Sequence, residues 1–328
     1  MSHTGSTQIT ARGQIITRGI RVPVGRRGRQ NAAVDALPMP ELLVTSMERF
    51  PHEGRRAWFA QLPVIVRDVA ERWELRLGAP YQPGGMCSWV APAEDAQGRP
   101  LVLKVGWAHP EAAHEADGLR RWAGNGAVLV HDNHAFDSTS ALLLERCEPG
   151  TLLSASRPED EQDVVVAGLL RRLWQAPTEG PFQPLQTMCA EWADEFEEKL
   201  AATPDYALDP GLTRDAMRLF RELPASADRA VLLCTDLHSE NILAAQREPW
   251  LVIDPKPYVG DPTYDVLQHM YNCQDRMERD PIGLVRRFAD LLELDPQRLR
   301  LWLFARCVQE SIDSPWLCAV AARLAPGR

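Results

Sequence analysis

Apolar residues along the chain follow two different periods, and the change between them falls near residue 150. From Ala57 to Val69 (AWFAQLPVIVRDV) the apolar positions recur at helical spacing, with Pro63 interrupting the run. From Trp73 the pattern alternates: Trp73 to Leu77, Ser88 to Ala91 and Leu101 to Val105 read as strands, the last two joined into a hairpin by Gln97-Gly98-Arg99-Pro100. Glu111 to Trp122 returns to helical spacing and stops at Gly124-Asn125-Gly126; Ala127 to Val130 and Ala141 to Glu145 read as two further strands. Residues 73–146 are thus predicted to form a small, mostly antiparallel sheet with one inserted helix.

After Glu148-Pro149-Gly150 long helical patterns take over: Pro158 to Gln175, Leu185 to Ala202, Leu212 to Leu223, Tyr264 to Cys273, Ile282 to Leu292 and Pro296 to Arg323. Among them lies one β-rich island, Val231 to Asp254. The chain divides accordingly into a leader (1–44), an N-terminal lobe (45–148) and a helical lobe (149–328). The leader lacks sustained periodicity and closes on Leu37-Pro38-Met39-Pro40, which reads as a flexible, dispensable extension.

A chain of 328 residues, 45% hydrophobic and 25% charged, has the length for two lobes and the composition of a folded globular protein. The net charge of -9 is unevenly placed, since Arg12, Arg18, Arg21, Arg26, Arg27 and Arg29 lie in the leader and the first acidic residue is Asp35. The body is therefore more acidic than the whole, which argues against nucleic acid as a partner and suits cationic or metal-bound small molecules. No apolar run reaches the roughly 18 residues that span a bilayer, so no membrane partner is expected and the cytoplasm is the default compartment. The seven cysteines are scattered and never spaced C-x-x-C, so they are read as reduced, packed thiols.

The island carries the chemistry. It reads Val231-Leu232-Leu233-Cys234-Thr235-Asp236-Leu237-His238-Ser239-Glu240-Asn241-Ile242-Leu243, and later Trp250-Leu251-Val252-Ile253-Asp254-Pro255-Lys256. Carboxylates that follow apolar strands are costly to bury unless paired or metal-bound, so Asp236, Asn241 and Asp254 together point to a site. In phosphoryl transfer to a hydroxyl, one carboxylate orients the hydroxyl and accepts its proton, while an amide oxygen and a second carboxylate hold Mg²⁺ on the nucleotide phosphates. D-x-x-x-x-N followed by a strand-borne Asp supplies that set.

From about residue 50 to 315, and most sharply in TDLHSEN, WLVIDPKPYVGDPTYD and QHMYN, the chain resembles the aminoglycoside phosphotransferase group of the protein-kinase-like fold. Within it, the streptomycin 6-phosphotransferase and hydroxyurea phosphotransferase branch is the most similar. The resemblance implies a two-lobed α+β fold, with a small antiparallel-sheet N-lobe and a larger helical C-lobe, and a kinase that uses ATP and Mg²⁺. It implies Asp236 as catalytic base and Asn241 and Asp254 as metal ligands. Lys104, in LVLKVGW, is similar to the sheet lysine that contacts the α and β phosphates, and Glu115 to its helix-borne partner, with Glu111 the competing candidate one turn away. No G-x-G-x-x-G loop is present; Gly84-Gly85-Met86-Cys87-Ser88 takes its place, with Ser88 a phosphate contact. The adenine is expected between the lobes against Leu144-Glu145-Arg146-Cys147-Glu148-Pro149, so Glu145 and Cys147 join the nucleotide site. Where the family often has His, two residues before the catalytic Asp, this chain has Cys234, a change in support and not in chemistry.

Other features receive plainer readings. Asp265 is similar to the acid that fixes the catalytic loop from below. Lys256 either neutralises transferred charge or pairs with Asp261. His238 is read as a structural hydrogen-bonding group and the acidic run Glu191 to Glu198 as a solvated helix face. Glu310 and Asp313 are the acceptor-binding candidates. The expected function is phosphorylation of a hydroxyl on an aminoglycoside-type antibiotic, streptomycin first, by a monomer or homodimer. Hydroxyurea or another small hydroxylated metabolite is the alternative acceptor, and a non-catalytic kinase-like binding protein is the alternative of another class.

Overall fold

The computed structural model describes residues 37–50 and 52–327. The chain forms two compact units: residues up to Ala116 with Val128–Arg146, and Asp117–Ala127 with Cys147 to the C-terminus. The Arg-rich part of the leader, through residue 36, lies outside the described residues.

In the first unit, helices α1 (Glu41–Arg49) and α2 (Glu53–Arg72) accompany a sheet of β1 (Arg76–Leu77), β2 (Ser88–Glu94), β3 (Pro100–Trp107), β4 (Val130–Phe136) and β5 (Thr139–Glu145). Its order is β1-β2-β3-β5-β4 and every pairing is antiparallel. The β2–β3 turn closes on the Asp95 carboxylate, which accepts from Gln97 N at 3.1 Å and Arg99 N at 2.8 Å while Gly98 takes a left-handed φ of 78°. Alternate residues of β3, Leu101, Leu103 and Val105, are fully buried in one core with Trp58, Leu62, Val66 and Val69 of α2. Pro63 removes one helical hydrogen bond, at a cost of about 3 kcal/mol, yet α2 runs through it because that face buries several large side chains. The last leader residues are not loose: Leu43 belongs to the same core, as does Met47 one turn further along α1, and Trp89 Nε1 donates to Pro38 O at 2.9 Å.

The strand expected at 127–130 is found at Val130–Phe136 instead. It is an edge strand with alternation too weak to read, since His131 and Asp132 are exposed and only β5 pairs with it. Residues 123–127 belong to the second unit, where Arg247 donates to Gly124 O and Ala127 O and Val252 N donates to Gly126 O at 2.9 Å. Helix α3 (Glu115–Trp122) runs across the division between the two units.

The second unit contains α4 (Leu153–Ser156), α5 (Glu159–Leu173), α6 (Leu185–Ala201), α7 (Pro210–Glu222), α8 (Pro262–Asp265), α9 (Leu267–Tyr271), α10 (Gln274–Arg279), α11 (Pro281–Leu292), α12 (Pro296–Glu310) and α13 (Leu317–Leu324). Its short strands are β6 (Gln183–Pro184), β7 (Val231–Leu233), β8 (Ile242–Ala244), β9 (Trp250–Val252) and β10 (Tyr258–Gly260), in the orders β6-β10-β7 and β8-β9. Asp-Pro steps start α7, α8, α11 and α12, with Asp209, Asp261, Asp280 and Asp295 each accepting a backbone N–H of its first turn. The helix expected from 296 to 323 breaks after Glu310, because Pro315 disfavours a helical residue 314 and denies a backbone donor. On α6, Asp194 and Glu197 pair with Arg221 of α7 at 2.7 Å, so part of the acidic run serves helix packing.

Asp163 of α5 ties this unit's helices together. Its buried carboxylate accepts from Arg276 at 2.6 and 2.9 Å, from Arg287 Nε at 2.5 Å and lies 3.2 Å from His269 Nε2. Burial works to raise this carboxyl, but the hydrogen bonds from His269, Arg276 and Arg287 outweigh it and hold the group well below the usual range. The folded value lies below the unfolded one, so this stabilisation is complete above the unfolded carboxyl's value near pH 4 and is lost as pH falls. Asp163→Asn is expected to be less stable at neutral pH and to show a shallower stability loss between about pH 5 and 2 than the wild type in urea titrations. Parallel curves would contradict the assignment.

Candidate active site

In the first unit, β3 presents Lys104 opposite Val90 and Leu142, and α3 begins with Glu115. Lys104 Nζ lies 2.7 Å from both Glu115 carboxylate oxygens, with the glutamate buried and the lysine nearly so. Removing one partner of such a pair strands a charge in low dielectric, so the pair is a cation fixed in place by the sheet and the helix. Of the two glutamates left open by the sequence, Glu115 makes this contact; Glu111 is buried in the 3₁₀ turn Pro110–Ala112 just before it.

Ser88 opens β2 and is buried opposite Gly106. The loop before it is tight: a Cβ on Gly84, whose φ is 80°, would meet Pro40 Cβ at 2.4 Å. It is also tethered, because Met86 O accepts from Ser46 Oγ at 2.7 Å and from the Arg55 guanidinium, which donates to Ser46 O as well. Arg55 is a buried arginine that the sequence reading missed, hidden inside an amphipathic helix among other arginines. At the end of β5, Glu145 Oε2 accepts from Leu129 N at 2.9 Å and Glu145 N donates to Leu129 O at 2.8 Å, so this side chain ties down its own neighbourhood. Cys147 follows and is half-buried.

In the second unit the island folds as β7, a loop, the 3₁₀ turn Ser239–Asn241, and the hairpin β8–β9 leading to Asp254. Apolar β7 is buried throughout, which places Cys234 and Thr235 at its end. There the Asp265 carboxylate, fully buried, accepts from Cys234 N at 3.0 Å, Thr235 N at 2.7 Å and Trp174 Nε1 at 2.9 Å. Burial pushes its carboxyl up to about 6, against the opposing pull of those donors, so it is ionised at neutral pH. Thr235 and Asp254 both adopt left-handed backbone, φ 52° and 53°, a conformation that costs a non-glycine residue about 1–3 kcal/mol and persists only where surroundings impose it. Thr235 Oγ1 donates to Lys256 O at 2.6 Å, Lys256 N to Cys234 O at 2.9 Å, and Ile253 N to Asn241 O at 2.9 Å. These bonds lock the two halves of the island together.

Asn241 Nδ2 donates to Asp236 O at 2.9 Å, which turns the amide oxygen away from that contact. An amide oxygen and the Asp254 carboxylate are hard oxygen donors of the kind Mg²⁺ takes, so the donor set fits that ion. Asp236, half-buried, has Lys256 Nζ 2.8 Å from its Oδ2. The alternative pairing of Lys256 with Asp261 is overturned: Asp261 Oδ2 is taken by Arg298 and by Trp302 Nε1 at 2.6 Å. Cys234 N donates to Asp265 and Cys234 O accepts from Lys256 N at 2.9 Å, while burial pushes its thiol well above the ordinary value. His238 does not show the hydrogen bond expected of it: Nδ1 is buried without a partner, and burial lowers its pKa, leaving it neutral.

The acceptor candidates fare differently. Glu310 is buried at the end of α12 and bonded to Arg306, whose guanidinium stacks over Trp192 at 4.5 Å; an open acceptor contact is not what the structure places there. Asp313 is exposed on the following turn and pairs with Lys199 at 2.6 Å.

The fold has close counterparts among solved structures. A thermostable mutant of aminoglycoside phosphotransferase APH(4)-Ia, in ternary complex with AMP-PNP and hygromycin B, aligns over 80% of this chain and 99% of its own, with TM-score 0.56 and 19% identity. Choline kinase LicA from Streptococcus pneumoniae aligns over 81% and 97%, with TM-score 0.55 and 13% identity. These likenesses give a two-lobed, kinase-like α+β fold. At the level of sequence, residues 72–314 match the aminoglycoside/hydroxyurea antibiotic resistance kinase family. Streptomycin 6-kinase of Streptomyces griseus is 35% identical over 85% of this chain and 91% of its own length, and hydroxyurea phosphotransferase of Kitasatospora aureofaciens 35% identical over 84% and 79%. The chain belongs to the aminoglycoside/hydroxyurea antibiotic resistance kinase family.

The Asp265 network makes a direct prediction. An amide in its place presents an N–H₂ to donors that need an acceptor, so Asp265→Asn is expected to lower stability by about 1–3 kcal/mol and turnover by roughly 100-fold. Wild-type turnover in the folded variant would show that the loop holds its shape without this carboxylate.

Proposed function

We propose that this protein transfers the γ-phosphoryl group of Mg-ATP to a hydroxyl of an aminoglycoside-type antibiotic, with streptomycin as the first acceptor to test. The observation that carries the reading is the loop in which Asp236, Asn241 and Asp254 are presented together by a backbone locked from Asp265 and from Lys256. Asp236 orients the acceptor hydroxyl and takes its proton as the new oxygen–phosphorus bond forms, and ADP leaves with the electrons of the broken bond. Asn241 and Asp254 hold Mg²⁺, which when bound offsets charge on the phosphate oxygens. Lys104, fixed by Glu115, meets the α and β phosphates, Ser88 and its loop supply donors to the phosphate tail, and main-chain groups at Glu145 to Cys147 read the adenine edge. The relatives named for streptomycin and the acidic body of the chain both support a polycationic acceptor. Asp313 is the exposed carboxylate assigned to an acceptor ammonium, exchanging it for Lys199, while Glu310 holds Arg306 in place.

Among the described residues no helix is long and apolar enough to cross a membrane, and a kinase fed by ATP belongs in the cytoplasm. The test is ADP release from Mg-ATP across streptomycin, other aminoglycosides and hydroxyurea, beside ATP binding by calorimetry. Wild-type turnover with streptomycin is expected, and Asp236→Ala is expected to lose at least about 1,000-fold in kcat while its ATP affinity stays within a few-fold. Turnover with hydroxyurea alone would move the acceptor to the second reading; unchanged turnover by Asp236→Ala would overturn the catalytic assignment.

A further inference from the structure

Lys256 has no part in the reaction as described so far, yet it is held more firmly than any chance surface lysine. Its Nζ sits 2.8 Å from Asp236 Oδ2, and the two side chains are only 16% and 18% exposed. Its backbone is fixed on both sides: Lys256 N donates to Cys234 O at 2.9 Å, Lys256 O accepts from Thr235 Oγ1 at 2.6 Å, and Pro255 and Pro257 flank it. Cys234 and Thr235 are the residues whose N–H groups Asp265 grips. One rigid turn therefore carries the aspartate, and the lysine that contacts it is stitched to that same turn. A free lysine loses rotamer entropy on being ordered, and a stem rooted between two prolines and two main-chain bonds starts from a backbone already fixed.

We propose that Lys256 is a positioning residue for phosphoryl transfer. By engaging Oδ2 it fixes the plane of the Asp236 carboxylate and leaves Oδ1 to receive the acceptor's hydroxyl. This rests on the reading of Asp236 given above. It makes the lysine a determinant of the chemical step and not of nucleotide or acceptor affinity: a carboxylate free to rotate loses the alignment on which its proton acceptance depends. The other charged or titratable groups around the turn are His238, Glu240, Asp254 and Asp265.

The experiment uses full-length wild type, Lys256→Met, Lys256→Arg, Asp236→Asn and the Asp236→Asn/Lys256→Met double variant. Lys256→Met is expected to lower kcat about 100-fold with both KM values within a few-fold, and Lys256→Arg to recover part of that loss. In the Asp236→Asn background the second substitution is expected to change residual turnover by less than about two-fold, because the carboxylate it positions is already gone. A kcat for Lys256→Met within about three-fold of wild type, or a loss that reappears in full in the Asp236→Asn background, would overturn the proposal. The pairing is also read without turnover, as a coupling of about ten-fold or more between the two substitutions in the urea-unfolding equilibrium constant. Additive effects there would overturn the pairing itself, whereas an inactive wild type with the coupling intact would overturn the kinase reading and leave the ion pair standing.

Discussion

Asp265 is a carboxylate that no solvent reaches, and the geometry of the catalytic loop follows from what it does about that. A buried charge without donors costs several kcal/mol, so it collects the backbone N–H groups of Cys234 and Thr235 and the indole of Trp174. Those two N–H groups come from the end of a buried strand, and gathering them onto one carboxylate bends the chain into the left-handed turn at Thr235. Asp236 is the next residue. The backbone that leads into it is thus held through the main-chain N–H groups of the two residues before it.

The same reasoning extends to Asp254. Elsewhere in the second unit an Asp-Pro step opens a helix, its carboxylate spent on the first-turn N–H groups. At Asp254-Pro255 no helix follows and Asp254 takes the left-handed conformation at the end of β9. That carboxylate is kept from the capping role that its dipeptide performs at the other sites, and the Ile253 N to Asn241 O bond places it beside the other metal-ligand candidate in the hydrogen-bond ladder. In the first unit a comparable economy appears in Lys104 and Glu115, where a sheet and a helix each supply one charge and neither is left alone.

Much of this was legible in the sequence because catalysis by positioned charge requires particular residues at fixed short separations. Asp236, Asn241 and Asp254 stood out as polar residues beside apolar runs, whereas Lys104, Glu115 and Asp265, the acid beneath the loop, were picked out by the family resemblance. What escaped were features whose cause lies in distant packing. The β4 strand has an edge position and polar outward residues, so its period is weak; α1 is short and its single deep anchor, Leu43, gives no repeat to count. The break between α12 and α13 was signalled by Pro315 and overridden by the apolar run around it. The choice of Lys256 between Asp236 and Asp261 depended on Arg298 and Trp302, residues some forty positions away that claim Asp261 first. Glu310 likewise read as an open acid because its partner Arg306 is one helical turn back on a face the sequence does not orient.

The most direct test of the whole account is the mass of the acceptor itself. Streptomycin incubated with the purified protein, ATP and Mg²⁺ is predicted to gain one phosphoryl group, carried as an ester on a single hydroxyl by phosphorus–proton NMR, with one ADP formed per ester. Streptomycin recovered unmodified from folded, ATP-binding protein, or a phosphoryl group found on nitrogen in place of a hydroxyl oxygen, would contradict it.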